Sequence, residues 1–315
     1  MSGRKALLIG INYVGTKNEL RGCHSDARNV LNFLQRWGYD PSDCVLLSDE
    51  PNVQPGSRSW PSGQNILRAM DWLVRGSEGQ SLFFHYSGHG GQVQDSDGSG
   101  GLTDTICPVD FQENGQMDSD TLHRHLVSPL PQGASLHAIF DCCHSGTVME
   151  LPYTYRTDAD GNVNLVDNIK QGIQLAESAA HLMQGGFSMN SVRDAEQLFA
   201  GARSFWKGLQ HMGGEGGGEE GLAHGEHGQE YYGEVKQVIM YSGCRDDQTS
   251  ADASIAGAAT GAMSWAFLQV MAQFNGQQSY VEILQNTRGM LQQKYSQVPQ
   301  LSCGEQMDLN RPFRI

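Results

Sequence analysis

The chain of 315 residues is poor in positive charge. Its 21 lysines and arginines stand against 35 aspartates and glutamates, a formal net charge of -14. That balance argues against nucleic acid and anionic membrane as the main partner, since both are held through clustered cations. Basic ligands and divalent cations suit it better. Cysteine is scarce as well: seven thiols lie scattered at 23, 44, 107, 142, 143, 244 and 303. An odd number without Cys-x-x-Cys spacing gives neither a disulfide framework nor paired zinc ligands. A reducing compartment is expected, the cytoplasm with the nucleus as an alternative. No apolar run is long enough to span a membrane, no internal repeat is present, and Met1 to Lys5 carries no signal- or transit-peptide character.

What the chain has in excess is glycine, 39 residues, many of them between 213 and 233 in an acidic low-complexity tract. That tract divides the chain into residues 1–212, a linker 213–233 and residues 234–315. The last part starts with a strand-like run that suits the same sheet, so one domain with an inserted segment is expected.

Apolar runs at Ala6 to Tyr13, Cys44 to Leu47, Ser81 to Tyr86, Leu136 to Phe140 and Val235 to Tyr241 read as strands. Between them, Ala27, Val30, Leu31 and Leu34, and then Ile66, Met70 and Leu73, have helical spacing. Asp26 is placed to cap the first of these helices. Asp118, Ser119 and Asp120 open another, running through Leu122, Leu126 and Val127. Residues 90–110 read as a hairpin or exposed loop. Leu151 to Tyr155 is extended, Ile169 to Met183 is helical, residues 263–274 and 281–291 form two more helices, and Phe313 to Ile315 is a terminal strand. Strands alternating with helices predict an α/β fold, a mainly parallel central sheet with helices on both faces.

Two of these strands end in chemistry. Ser81 to Tyr86 leads into Ser87-Gly88-His89-Gly90, and Leu136 to Phe140 leads into Asp141-Cys142-Cys143-His144-Ser145-Gly146. The carboxyl ends of parallel strands are where reacting groups collect. A thiol with an ordinary pKa of about 8.5 becomes a nucleophile when an imidazole takes its proton. His89 and Cys143 are therefore the candidate base and nucleophile. The backbone N–H groups of Gly90 and Cys143 are candidate oxyanion donors. Adjacent side chains on a strand point to opposite faces, so Cys142 is expected to pack.

His-Tyr-Ser-Gly-His-Gly at 85–90, Asp-Cys-Cys-His-Ser-Gly at 141–146 and Gly-Cys-His-Ser-Asp-Ala at 22–27 together resemble the type I metacaspases. Thr147 to Tyr153 and Ser242 to Asp252 extend the match over nearly the whole chain. The resemblance implies a caspase-like fold, with the segments before and after the glycine-rich tract as large- and small-subunit regions. It implies the dyad His89 and Cys143, and cleavage of protein or peptide substrates after arginine or lysine. Asp26 and Asp141, with Ser87 beside them, take the family's acidic specificity-pocket positions, and a carboxylate pair grips a guanidinium well. It further implies Ca2+ as activator, held at Asp104, Ser119, Asp120 and Glu150. Serine stands there where aspartate is usual, and glutamate replaces aspartate at 150. Self-cleavage between the two regions is implied, with Lys170 as the favoured site, and so is a monomer; the acidic balance adds that neither nucleic acid nor membrane is a partner. Two rivals stand beside this reading: another peptidase of the caspase clan, and a non-catalytic protein-quality-control scaffold with the same fold.

Overall fold

The computed structural model describes residues 3–94, 102–142, 145–157, 163–166, 234–245, 261–292, 295 and 297–315. Its main sheet has eight strands. They are β1 (Arg4–Gly10), β2 (Cys44–Ser48), β3 (Ser81–Ser87), β7 (Ser135–Asp141), β8 (Tyr153–Thr157), β9 (Val163–Val166), β10 (Val238–Arg245) and β11 (Gln297–Cys303). In space they run β2-β1-β3-β7-β10-β11-β8-β9. The first five are mutually parallel, and the last three continue the sheet antiparallel. A small antiparallel sheet, β4 (Gly90–Gln94), β5 (Leu102–Ile106) and β6 (Met117–Asp118), branches off after β3.

The parallel part reads 2-1-3 and then outward in the other direction, so the connections reverse between β1 and β3. A crevice opens outside the carboxyl ends at such a reversal, because the two flanking connections leave toward opposite faces. The register sets its floor. Gly10 of β1 lies opposite Ser87 of β3, and Ser87 lies opposite Asp141 of β7.

Helices cover both faces, as the apolar spacing predicts. Helix α1 (Cys23–Arg36) buries Ala27, Val30 and Leu34 on one face, with Phe267, Met271 and Ile283 of α5 (Ala262–Gln273) and α6 (Tyr280–Gln292) in the same cluster. Helix α2 (Gly63–Val74) buries Ile66, Met70 and Leu73 on the other face, with Leu122 and Leu126. Ser62 caps α2 through its side chain, accepting from the Asn65 amide. Residues 111–114 form a short turn of helix, α3. The segment opened by Asp118 is helical only from Ser119 to Leu122 (α4), with the Asp118 carboxylate accepting from the Thr121 amide at 2.9 Å. It then widens into a π-turn over His123–Val127.

Four expectations need correction or fall elsewhere. Helix α1 starts at Cys23 behind a left-handed Gly22, so Asp26 sits inside its first turn and its side chain is free for another use. Phe313 to Ile315 is an irregular tail rather than a strand; Phe313 and Ile315 fill the α5/α6 side of the core and Arg314 is exposed. The late strand is instead β11, an interior one between β10 and β8, whose glutamines, serine and Pro299 hide it from any alternating pattern, although all its residues are buried. Ile169 to Met183 and the tract 213–233 lie outside the described residues. Cys23, Cys44, Cys107, Cys142 and Cys303 are free thiols. No helix among the described residues is long and apolar enough to cross a membrane.

Candidate active site

His89 stands two residues past the end of β3, at the switch point. Its Nε2 is 2.8 Å from the carbonyl oxygen of Asn18, in the loop that follows β1. A carbonyl only accepts, so Nε2 carries the proton and the neutral ring keeps its lone pair on Nδ1. Burial lowers the pKa of His89, and the Asn18 carbonyl partly offsets that. The ring is therefore a neutral base near pH 7. It lies against the Tyr13 ring, with centroids 4.6 Å apart. Cys143 and His144 lie outside the described residues, and so does Lys170. By position, Cys143 follows Asp141 by the same two residues that separate His89 from Ser87, on strands in register at Ser87 and Asp141.

Ser145 and Gly146, just past residue 144, are braced from β10 and β11. Ser145 Oγ donates within reach of the Cys142 and Gly243 carbonyls, at 3.1 and 3.3 Å. Gln300 of β11 donates to the Gly146 carbonyl at 2.6 Å and is itself held by Arg156 Nε of β8 at 2.7 Å. Cys142 is buried, as the strand alternation predicts.

Asp26, Ser87 and Asp141 come together beside this loop. Ser87 Oγ donates to Asp26 Oδ2 at 2.9 Å. Asp26 is partly exposed, whereas Asp141 is fully buried. Asp141 accepts from the amides of Ser264 and Met263 at 2.7 and 3.4 Å, so it caps helix α5 from a strand 122 residues earlier in the chain. The N-terminal amides of a helix are an anion site, and here the anion is a side chain. Gly261, with φ 95°, leaves the helix entry open: a Cβ there would stand 2.5 Å from Asp26 Oδ2. Burial, and then the charge of Asp141, push the Asp26 carboxyl up to about 7, against the Ser87 hydrogen bond. Burial also raises Asp141, opposed by the amides it caps. Two neighbouring carboxyl groups thus differ in access, Asp26 half-buried and Asp141 closed off.

Of the four candidate calcium residues, Asp104 and Ser119 meet the two ends of one turn, Thr147 to Glu150, and Glu150 closes it. Thr147 Oγ donates to Asp104 Oδ2 at 2.5 Å, and Gln92 donates to Asp104 Oδ1 at 3.0 Å. Ser119 Oγ bonds Glu150, and the Glu150 amide closes the turn on the Thr147 carbonyl at 2.8 Å. Asp120 pairs with Arg124 at 2.7 Å. Among the described residues, no three histidine, cysteine, aspartate or glutamate side chains are grouped as a metal cage.

Several residues that sequence reasoning passed over shape the site. Tyr13 looked like the last residue of a strand, yet β1 ends at Gly10 and Tyr13 turns back over His89 with φ 51°. Asp49, past β2, accepts from the Asn12 and Val14 amides at 2.8 and 2.9 Å and pairs with His24 at 2.6 Å. It thereby ties down the loop that carries Asn18. An aspartate just past a strand-like apolar run was its only local signal.

The reversal of strand order, with an oriented imidazole at it and a half-buried acid backed by a buried one beside it, defines an α/β protein with chemical groups gathered at its strand ends. Residues 4–152 match the family model described as "Metacaspase, peptidase C14 domain". The chain is 44% identical to Metacaspase-1 of Mycosarcoma maydis over 318 residues, covering 99% of this chain and 73% of the relative. It is likewise 44% identical to Metacaspase-1 of Botryotinia fuckeliana, covering 98% of this chain and 70% of that one. Among solved structures, protein GSU0716 from Geobacter sulfurreducens shares the fold, with a TM-score of 0.54 at 20% identity over 98% of this chain and 97% of that one. This chain belongs to the metacaspase family, and it is a cysteine-type peptidase.

Proposed function

We propose that this metacaspase is an endopeptidase of the cytoplasm that cleaves after arginine or lysine, with His89 and Cys143 as its dyad. His89, protonated on Nε2 toward Asn18, takes the Cys143 thiol proton on Nδ1. The thiolate attacks the scissile carbonyl, and backbone N–H groups at Gly90 and Cys143 hold the oxyanion. His89 returns the proton to the leaving amine. Water then attacks the acyl-enzyme by the same proton path and frees the carboxylate product.

The observation that carries the specificity is the half-open carboxylate of Asp26 above a second, closed one. An aspartate at the first position of the scissile bond would meet like charge there, whereas a guanidinium or ammonium would neutralise the pocket. Asp26 makes the contact, Ser87 orients it, and Asp141 sets the field from behind while bound to α5.

Calcium is the activator this reading expects. The four candidate residues do not form a ready cage, since Asp120 is paired with Arg124 and Asp104 with Thr147 and Gln92. Taking up calcium, which wants six to eight oxygens, would require them to exchange those partners. No chemical step passes through the ion. Self-cleavage at Lys170 fits the same specificity.

Small fluorogenic peptides ending in Arg, Lys or Asp, assayed with and without calcium, test the whole reading. Turnover of the Arg and Lys peptides, dependent on calcium and abolished in Cys143→Ala and His89→Ala, is expected. Cleavage after Asp but not Arg would refute the acidic pocket, and unchanged turnover in Cys143→Ala would refute the dyad. Mass spectrometry of the incubated protein, with Lys170→Ala alongside, locates the self-cleavage.

A further inference from the structure

The antiparallel ladder of β4 and β5 runs from Gln94↔Leu102 back to Gly90↔Ile106. The next pair in register is His89 and Cys107. One of its two rungs is ordinary: the Cys107 amide donates to the His89 carbonyl at 3.1 Å. The other rung is filled by a side chain. The His89 amide donates to the Tyr13 hydroxyl at 2.9 Å, and that hydroxyl donates to the Cys107 carbonyl at 2.6 Å. A second hydroxyl reinforces the first rung. Tyr86 Oη donates to the His89 carbonyl at 2.7 Å and accepts from the Cys107 amide at 3.2 Å. The two hydroxyls stand 3.2 Å apart, and both tyrosines are buried. Gly88 makes the room, because a Cβ there would lie 2.6 Å from Tyr86 Oη and 3.1 Å from Tyr13 Oη.

We propose that Tyr13 is the positioning residue of the catalytic base, its hydroxyl acting as an inserted ladder rung that fixes the His89 backbone while its ring fixes the imidazole. The inference rests on His89 being the base. The directionality is complete: Tyr13 gives its one hydroxyl proton to the Cys107 carbonyl and Tyr86 its one to the His89 carbonyl, which also takes the Cys107 amide. Tyr13 also belongs to the loop whose Asn18 carbonyl holds His89 Nε2. One loop therefore sets the base's main chain, ring plane and tautomer together. Tyr13 touches no reacting atom; it acts through His89.

Tyr13→Phe keeps the ring and removes only the rung. The expected result is a kcat on an Arg peptide lower by about 10- to 100-fold, the size a misplaced catalytic group produces, with KM within about twofold of the parent. Alkylation of Cys143 by iodoacetamide gives a readout that general loosening of the fold would not move. In the parent its rate should persist below the pH of a free thiol, because His89 draws off the proton. In Tyr13→Phe the profile should move toward that of an isolated thiol, about 8.5. A Tyr13→Phe enzyme with parental kcat and parental alkylation profile overturns the inference. So does a loss of kcat that leaves the profile unmoved. Hydrogen exchange in the unmodified protein keeps it testable if the variant does not fold. Slow exchange of the His89 amide is expected, and exchange at the rate of an open loop overturns the rung. His89→Ala separates the two levels: if it keeps activity, the base assignment itself falls, whatever Tyr13→Phe does.

Discussion

Asp26→Asn should make the protein more stable and less useful, and the gain should depend on pH. The Asp26 carboxyl is raised from its ordinary 3.8 to about 7 by burial and by Asp141. In the unfolded chain it ionises near 3.9. Between those values the folded state binds the proton more tightly, so stability falls as pH rises through that window and levels off above about 7. Holding the charge in the folded state at pH 8 costs about 4 kcal/mol at most, at about 1.4 kcal/mol per unit. Relaxation around Ser87 and Gly261 returns part of that, leaving about 2 kcal/mol for an uncharged amide of the same shape to recover, or about 4 °C in Tm. Thermal melts of parent and variant at pH 8 and pH 5 measure it. The gain should be present at pH 8 and small at pH 5, where Asp26 already carries its proton. The same variant should lose about 100-fold in kcat/KM on Arg peptides, as when one partner of a buried charge pair is removed. No stabilisation at pH 8, or an equal one at both pH values, would refute the account of this pocket.

Gly88→Ala should cost about 1–3 kcal/mol and depress kcat, because its methyl meets Tyr86 Oη at 2.6 Å, read by denaturant melts and peptide turnover. Asp49→Asn should weaken the loop that carries Asn18 and remove part of the acid sensitivity. Burial pushes Asp49 up, but His24 and the Asn12 and Val14 amides pull it below the usual range. That stability is present above about 3.9 and is lost as pH falls through the lower folded value, so acid titration of parent and variant by circular dichroism should differ there.

The runs that end in Ser87 and Asp141 were legible because a buried parallel strand reads as a short apolar stretch stopped by polar groups. The α1 and α2 faces were legible in the same way, through helical spacing of apolar residues, whereas Asp26, Ser87 and Asp141 were singled out by the resemblance. What stayed hidden is tertiary. Asp26 looked like a cap because acids favour helix starts, but Gly22 takes that place and Asp26 turns to Ser87. The real cap, Asp141 on α5, joins residues more than 120 apart, and local pattern cannot show it. Strand β11 has polar side chains on a fully buried element, where Gln300 serves Gly146 rather than solvent. Tyr13 carried no mark of its task, since only the fold brings its hydroxyl between two backbones.

Strand β10 has a consequence for a chain cut anywhere between 167 and 233. It enters the sheet from the far side of that interval and lies between β7 and β11, parallel to one and antiparallel to the other. The two pieces would therefore share an unbroken sheet, with the seam inside it rather than along its margin. Such a nicked molecule migrates as one particle until denatured, yet its unfolding is bimolecular, and its melting point should drop on dilution as that of a heterodimer does. Its halves, mixed from separate syntheses, need each other's strands to fold.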